Sequence, residues 1–354
     1  MWLKNTWYPA AYANELDEPF LARRILGTAL VLYRASDGTV TALEDVCPHR
    51  LMPLSVGRRV GDDIQCGYHG MRFDVEGRCL EVPGQTQVPA AATVRRYPTV
   101  QLHGFIWIWM GDESLADPAL IPDLHWNDDP HWTASRGYHH VAADYRLLND
   151  NLQDLSHETY VHARTIGNGE EETIANFPVK VTVEANRVVR AWREMPNIVP
   201  PPFFSAVLDH PPRIDRWQCA IHLVPGINMT YLGVYPVGQP RSGAAVMHVL
   251  HLATPETETS CHYFWSGLRN FKLEDKALTD MISKAVGDTL AEDKVVLEHQ
   301  QRKLAEMGAP AVPRVAIRLD EAPLRARRLL DEWLQREREN PGSVITPVPL
   351  VPAS

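Results

Sequence analysis

Two short segments constrain this 354-residue chain more than any other feature: Cys47-Pro48-His49 and, with residues 50 to 65 between them, Cys66-Gly67-Tyr68-His69-Gly70. Each offers one thiolate and one imidazole. A structural zinc finger normally groups its cysteines in one pair and its histidines in the other. Cys-x-His with Cys-x2-His instead lets two loops give mixed ligands, so that one iron of a [2Fe-2S] cluster takes both sulfurs and the other both imidazoles. Replacing two thiolates by neutral histidines raises the reduction potential, which suits an acceptor of electrons from a flavin or a ferredoxin. Pro48 and Gly70 permit the tight turns that such loops need. A zinc site and a coincidence of polar loops are the competing readings.

A second cluster lies far downstream, between Asp144 and Thr165. Leu147, Leu148, Leu152 and Leu155 recur at helical spacing and predict one buried face. Into that frame are set Asn151, Asp154 and His157, three apart, and then His162. The three-residue step brings the Asp154 carboxylate within reach of the His157 imidazole. Five residues turn roughly 140° around an ideal helix, so the helix has to end or bulge between His157 and His162 if both are to meet one atom. Two imidazoles beside open space suit a divalent transition metal, and adding one carboxylate gives the facial triad of non-haem Fe(II) oxygenases. Two surface histidines at a helix end are the plain alternative.

The carboxylate is sought in the long helix predicted over residues 273 to 307. Leu278, Ile282, Val286, Leu290, Val296, Leu297 and Leu304 fall on the same side as Asp293. A carboxylate inside an apolar stripe is costly to desolvate unless it is paired or binds a metal. Asp293 is therefore the candidate third ligand, against a stray charge. Glu292, turned toward a more polar side with Asp288 and His299, ranks second.

The two sites together bear a resemblance to the Rieske non-haem iron oxygenases. Cys47-Pro48-His49-Arg50, Pro53-Leu54-Ser55 and Cys66-Gly67-Tyr68-His69-Gly70 resemble that family's cluster loops, and Asn151, Asp154, His157 and His162 its Asn-x2-Asp-x2-His-x4-His motif. Ala291-Glu292-Asp293 is similar to the segment that supplies the third iron ligand. The likeness spans nearly the whole chain and is nearest the group of vanillate O-demethylase, dicamba monooxygenase and toluenesulfonate methyl-monooxygenase. Trp7-Tyr8, Pro83-Gly84-Gln85, Phe105 to Trp109, Thr254 to Glu258, Tyr263 and Arg269-Asn270-Phe271 extend it.

The resemblance implies a terminal oxygenase with a Rieske [2Fe-2S] cluster on Cys47, His49, Cys66 and His69, and mononuclear Fe(II) on His157, His162 and Asp293. It also implies O2 and a small aromatic substrate, a separate ferredoxin-type reductase, and a homotrimer. In that trimer Asp154 bridges His69 of the neighbouring copy to His157, with Asn151 beside it. The reaction implied is demethylation of a methoxylated aromatic acid, releasing formaldehyde. Hydroxylation of a benzylic methyl, N-methyl or alicyclic C–H group is the nearest alternative. A non-catalytic Rieske electron carrier is an alternative of another class, though it would not need the second motif. Asn149, Gln153 and Met52 depart from the group's pattern and put its particular substrates in question.

The expected fold is α+β: an N-terminal β-rich Rieske domain, then a helix-grip domain in which a long helix lies against an antiparallel sheet. Residues 1–111 form the first, 112–133 a proline-bearing crossover, 134–340 the catalytic domain and 341–354 a Pro-rich tail. In the first domain Ile25 to Tyr33 and Thr39 to Leu43 read as a hairpin turned at Ser36-Asp37-Gly38. Residues 179 to 269 alternate as strands. His251, sharing a face with Val249 and Ala253, is the candidate hydrogen-bond donor of a substrate pocket, with an ordinary core or surface histidine as the alternative. Cys219 and Cys261 read as core, and Cys79 has no partner at ligand spacing.

With 35 basic and 44 acidic residues, a net charge of −9 and no long basic run, nucleic acid is not an expected partner. Five cysteines in a chain of this size point to a reducing compartment. No signal peptide is read at the start, and the uncharged stretch from 218 to 240 is broken by Pro225, Gly226 and Pro236 into two strands and a turn. The expectation is a soluble, cytoplasmic protein. Gly167-Asn168-Gly169 lacks the third glycine and preceding strand of a nucleotide loop, so electrons from NAD(P)H need another protein.

Overall fold

The computed structural model describes residues 1–163, 165–167, 174–308 and 315–351. Asn168 and Gly169 of the rejected nucleotide loop and the last three residues of the tail lie outside the described residues. The chain forms two compact units, one of Trp2–Ile121 with Asn340–Thr346, the other of Met1, Pro122–Glu339 and Pro347–Ser354.

In the first unit, three antiparallel sheets surround two apolar cores. Phe105–Trp109 is buried at every position because it is the middle strand between Trp7–Tyr12 and Thr99–Leu102. Thr28–Arg34 pairs with Val40–Glu44, as the apolar run and its turn predict. That run does not begin at Ile25, however. Leu26 and Gly27 take left-handed conformations, φ 48° and 78°, and fold Leu21–Ile25 back as a further strand. The small sheet of Arg58–Val60, Asp63–Gln65, Arg72–Phe73 and Cys79–Glu81 carries the second Cys/His loop.

In the second unit, a seven-stranded antiparallel sheet runs Thr133–Val141, Ser260–Arg269, Ala245–Thr257, Ile227–Pro236, Ile214–Leu223, Val188–Ile198, Val179–Glu184. Among the described residues five α-helices complete it: α1 (Tyr145–Gln153), α2 (Glu158–Val161), α3 (Pro202–Val207), α4 (Lys276–Met307) and α5 (Glu321–Glu339). Helix α4 starts where the Asp275 side chain accepts from the Leu278 amide at 2.9 Å, and stops at Gly308 in a left-handed cap. It buries Leu278, Ile282, Val286, Leu290, Asp293 and Leu297, while Val296, expected in the same stripe, is exposed. A Cβ added at Gly267 on the sheet would crowd Ser135 Oγ at 2.8 Å and touch Val286 and Ile282 of α4, so a glycine there leaves room for the helix to pack. The end of the chain packs as well: Leu350 is buried, and Arg190 donates to the carbonyl oxygens of Pro349, at 2.8 Å, and Leu350. Among the described residues no helix is long and apolar enough to cross a membrane.

Candidate functional site

The two Cys/His loops of the first unit are built alike. In one, the Cys47 amide donates to the Met52 carbonyl at 2.8 Å and the Leu51 amide to the Cys47 carbonyl at 2.9 Å. In the other, the Cys66 amide donates to Met71 at 2.8 Å and the Gly70 amide to Cys66 at 3.1 Å. The matching residues Leu51 and Gly70 both have positive φ, 57° and 74°. Glycine adopts that conformation freely, whereas leucine adopts it under strain. Cys47 and Cys66 are each 2 % exposed, while His49 and His69 lie at the surface with ring centroids 4.5 Å apart. Burial, with Cys66 beside it, pushes the Cys47 thiol above its ordinary pKa. Two adjacent buried sulfurs and two adjacent exposed imidazoles match the donor set of a mixed-ligand [2Fe-2S] cluster.

In the second unit, His157, His162 and Asp293 converge. The two Nε2 atoms are 3.2 Å apart, and Asp293 Oδ1 lies 3.4 Å from that of His157 and 3.1 Å from that of His162. Donors shared by one metal ion with bonds of about 2.1 Å lie about 3 Å apart, so the spacing of these three atoms fits a common metal ion.

The convergence comes from a helix break placed differently from the expected one. Helix α1 stops at Gln153 because Asp154 turns to extended backbone, and α2 is a single separate turn with His157 at its start and His162 at its end. The helical spacing between Asp154 and His157 is thereby lost, and the expected carboxylate–imidazole bond is not formed. The His157 Nδ1 instead donates to the Asp154 carbonyl at 2.6 Å, and the Asp154 carboxylate accepts from the Ser156 amide at 2.8 Å. Glu292 accepts from His162 Nδ1 at 2.8 Å, and Asn151 donates to Asp293 Oδ1 at 3.0 Å. Because a carbonyl and a carboxylate only accept, both imidazoles carry a hydrogen on Nδ1 and turn Nε2 toward Asp293.

Burial disfavours a charged imidazole here, but the hydrogen bond and charge of Asp293 overcome it and raise His157 to about 9. His162 shifts upward for the same reasons. Asp293 is held well below the usual carboxylate range despite its burial. The same three groups favour a proton among them, so a metal ion bound there would compete with protonation.

The triad opens on a cavity of about 100 Å³. Its walls are mostly apolar, with Leu155, Phe203, Leu232, Met247, Val249 and Leu290 among them. His251 lines it, with Nδ1 2.6 Å from the Tyr263 hydroxyl and Nε2 3.2 Å from Thr230 Oγ1. Alternation along its strand sends His248 to the opposite face, against Trp126 and Trp132. Sequence reasoning missed the polar part of the wall, where Glu158, Arg216 and Gln218 line the cavity and join Arg193 in a buried network. Asn149 and Gln153, which depart from the group's pattern, are buried outside the cavity lining.

The Rieske [2Fe-2S] domain family matches residues 6–98, and the vanillate O-demethylase oxygenase C-terminal domain family matches 141–336. The vanillate O-demethylase oxygenase subunit of Pseudomonas sp. (strain HR199) is 40% identical over 350 residues, covering 96% of this chain and 97% of the relative. This chain belongs to the Rieske non-haem iron oxygenases. Among solved structures of such oxygenases, dicamba monooxygenase bound to 3,6 dichlorosalicylic acid superposes with a TM-score of 0.88 at 36% identity, covering 95% of this chain and 98% of that one. Dicamba monooxygenase with non-heme iron and dicamba gives 0.80 at 35%, covering 95% and 98%. The Rieske oxygenase described here is thus an oxidoreductase whose cofactors are a [2Fe-2S] cluster and a non-haem iron, and its donor sets fit both.

Proposed function

We propose that this oxygenase removes the methyl group of a methoxylated aromatic acid. The supporting observation is the position of the triad: three metal-ligating side chains converge at the edge of a cavity whose walls are mostly apolar. The relative named vanillate O-demethylase supports the choice of an aryl methyl ether.

In this reading Cys47, His49, Cys66 and His69 hold the cluster, and His157, His162 and Asp293 hold the iron. Bound there, the cluster stores electrons and the iron activates O2. Glu292 and the Asp154 carbonyl keep both ligand histidines as Nε2 donors, and Asn151 fixes the Asp293 carboxylate. The apolar walls hold the aryl methyl ether against the metal face and exclude water. The balance is Ar–O–CH3 + O2 + 2 e⁻ + 2 H⁺ → Ar–OH + CH2O + H2O. One oxygen atom enters the methyl C–H bond, and the hemiacetal so formed releases formaldehyde and the phenol. The electrons come from a separate ferredoxin-type reductase, in a cytoplasmic setting.

A homotrimer belongs to the same reading, with the exposed His49 and His69 passing electrons to a neighbouring copy and Asp154 at the crossing. Co-assembly of a His69→Ala chain with an Asp293→Ala chain tests this. Turnover from the mixture, absent in each parent, is the expected result, and a mixture as dead as its parents would refute subunit crossing.

The reaction itself is tested by single turnover: chemically reduced, iron-replete protein is mixed with O2 and a set of methoxylated and methylated aromatic acids. Formaldehyde with the matching phenol is expected. A hydroxylated product without formaldehyde would replace demethylation by plain hydroxylation. In Asp293→Ala, turnover should vanish while the cluster absorption remains.

A further inference from the structure

Beside the iron cavity, between α3 and α4, lies a second cavity of about 330 Å³. The two share four lining residues, Ile166, Phe203, Val286 and Thr289. Pro202, Ala206, Lys284 and Asp288 of the second cavity are exposed, while Val286 and Thr289 at the shared end are buried. It therefore runs from the surface to the wall of the first. Helix geometry explains the alignment. Met281, Ala285, Thr289 and Asp293 are four apart in α4 and form one row, about 18 Å long at about 1.5 Å per residue, that leads from the outer cavity to the metal triad. Lys284 and Asp288 pair with each other beside that row, so their charges cancel at the mouth.

The facing wall is α3, whose Phe203 amide donates to the Thr165 carbonyl at 3.4 Å. The Phe203 ring packs edge to face on buried Phe204, with centroids 5.1 Å apart, and so is held at the junction of the two cavities. Thr289 marks the same junction chemically. It is 6 % exposed, and its hydroxyl has no hydrogen-bond partner among the described residues. Thr279 of the same helix, by contrast, donates to the Asp275 carbonyl one turn back at 3.0 Å. A buried hydroxyl left unbonded costs free energy that a polar atom of a ligand recovers.

Two further cavities touch the lining of the iron cavity, one of about 230 Å³ at Asn151, Asp154 and His157, the other of about 120 Å³ at Asp154 and Leu155. The first is closed by His157 itself and by Asn151, which holds Asp293. The second is closed by backbone whose carbonyls accept from His157 and Arg193. The four residues shared with the α3–α4 cavity neither belong to the triad nor bond to it.

We infer that aromatic substrate reaches the iron cavity between α3 and α4, and that Phe203 at the junction governs its passage. The inference rests on the reading that a methoxylated ring binds beside the triad, and its test reads ligand exchange rather than turnover.

Fluorine NMR of 3-fluoro-4-methoxybenzoate, titrated into the intact, cluster- and iron-replete protein without O2, gives the dissociation constant and, from the line shape, the exit rate. Ala206 lines only the outer cavity, and Ala206→Trp should fill it. Exit and entry should both slow at least about tenfold with Kd changed by less than about twofold, because a side chain that meets neither the free nor the bound ligand shifts no equilibrium between them. Ala285→Phe on the opposite wall should repeat the effect, and serves if the tryptophan variant does not fold. Phe203→Ala should speed exit. Exit rates unchanged in the folded plugging variants would overturn the inference and put entry elsewhere. Weaker binding without slower exit would overturn it too, making the outer cavity part of the bound position. Slowed exchange with no formaldehyde in single turnover would refute the demethylation reading and leave the passage standing.

Discussion

Each ligand histidine depends on what holds its far nitrogen. His162 leans on the half-buried carboxylate of Glu292, and His157 on a backbone carbonyl that no substitution can remove. Glu292→Gln should therefore weaken iron binding by about 10- to 100-fold, the usual effect of losing such a support, with an unchanged cluster spectrum; competition with a chromophoric chelator would measure it. Because the triad's protons and a metal compete for the same atoms, iron affinity should fall as pH drops from about 9, the value to which His157 is raised. Chelator titrations across that range would show the slope, and a flat profile would argue against proton displacement. The residues that converge as His157, His162 and Asp293 were legible in the sequence because spacing is local and because a carboxylate in an apolar stripe is conspicuous. The partnership of Glu292 with His162 was not, since it joins residues from two helices far apart in the chain, and neither helix alone shows that the other is near.

At the scale of elements, the site is held by helices clamped at named points. Asp150 of α1 accepts both Nε, at 2.9 Å, and Nη2, at 2.6 Å, of Arg327 on α5. Burial pushes Asp150 up to about 6 even with that guanidinium in contact. Arg327→Met should cost about 1–3 kcal/mol, read as a lower denaturation midpoint, because it leaves Asp150 without its paired cation. Leu290→Ala in α4, one turn before Asp293, should cost about 2–5 kcal/mol by opening a cavity under the helix. Its urea unfolding curve would measure the loss. The amphipathic pattern of α4 and the alternation of the strands were readable from periodicity. The end of α1 was not: Leu155 continues the helical rhythm past Gln153, and only Asp154's extended backbone stops it. The buried arginine network was equally hidden, since alternation places Arg193, Arg216 and Gln218 on a sheet face but does not say that Glu158 from α2 will meet them there.

On the scale of the whole molecule, stability should be lost on the acid side. Burial, the dominant effect in each, lowers His222 to about 4, and His248 and His251 to about 3, from an ordinary 6.5. These rings stay neutral in the folded chain while the unfolded chain takes up protons, so their contribution is full above about pH 6.5 and declines as pH falls toward 4. Denaturation midpoints across that interval should decrease, and His222→Gln, which keeps a partner for Asn228, should make the decrease shallower. The two Cys/His loops bear on the whole molecule in another way. Their repeated hydrogen bonds put every sulfur inward and every imidazole outward, so a carrier seated on them is sheathed at one pole and bare at the other. Charge stored on a cluster held there would have one short way out, through the rings. In the proposed reading the chain would thus set a direction of conduction by itself, written in nothing larger than the one- and two-residue gaps between each cysteine and its histidine.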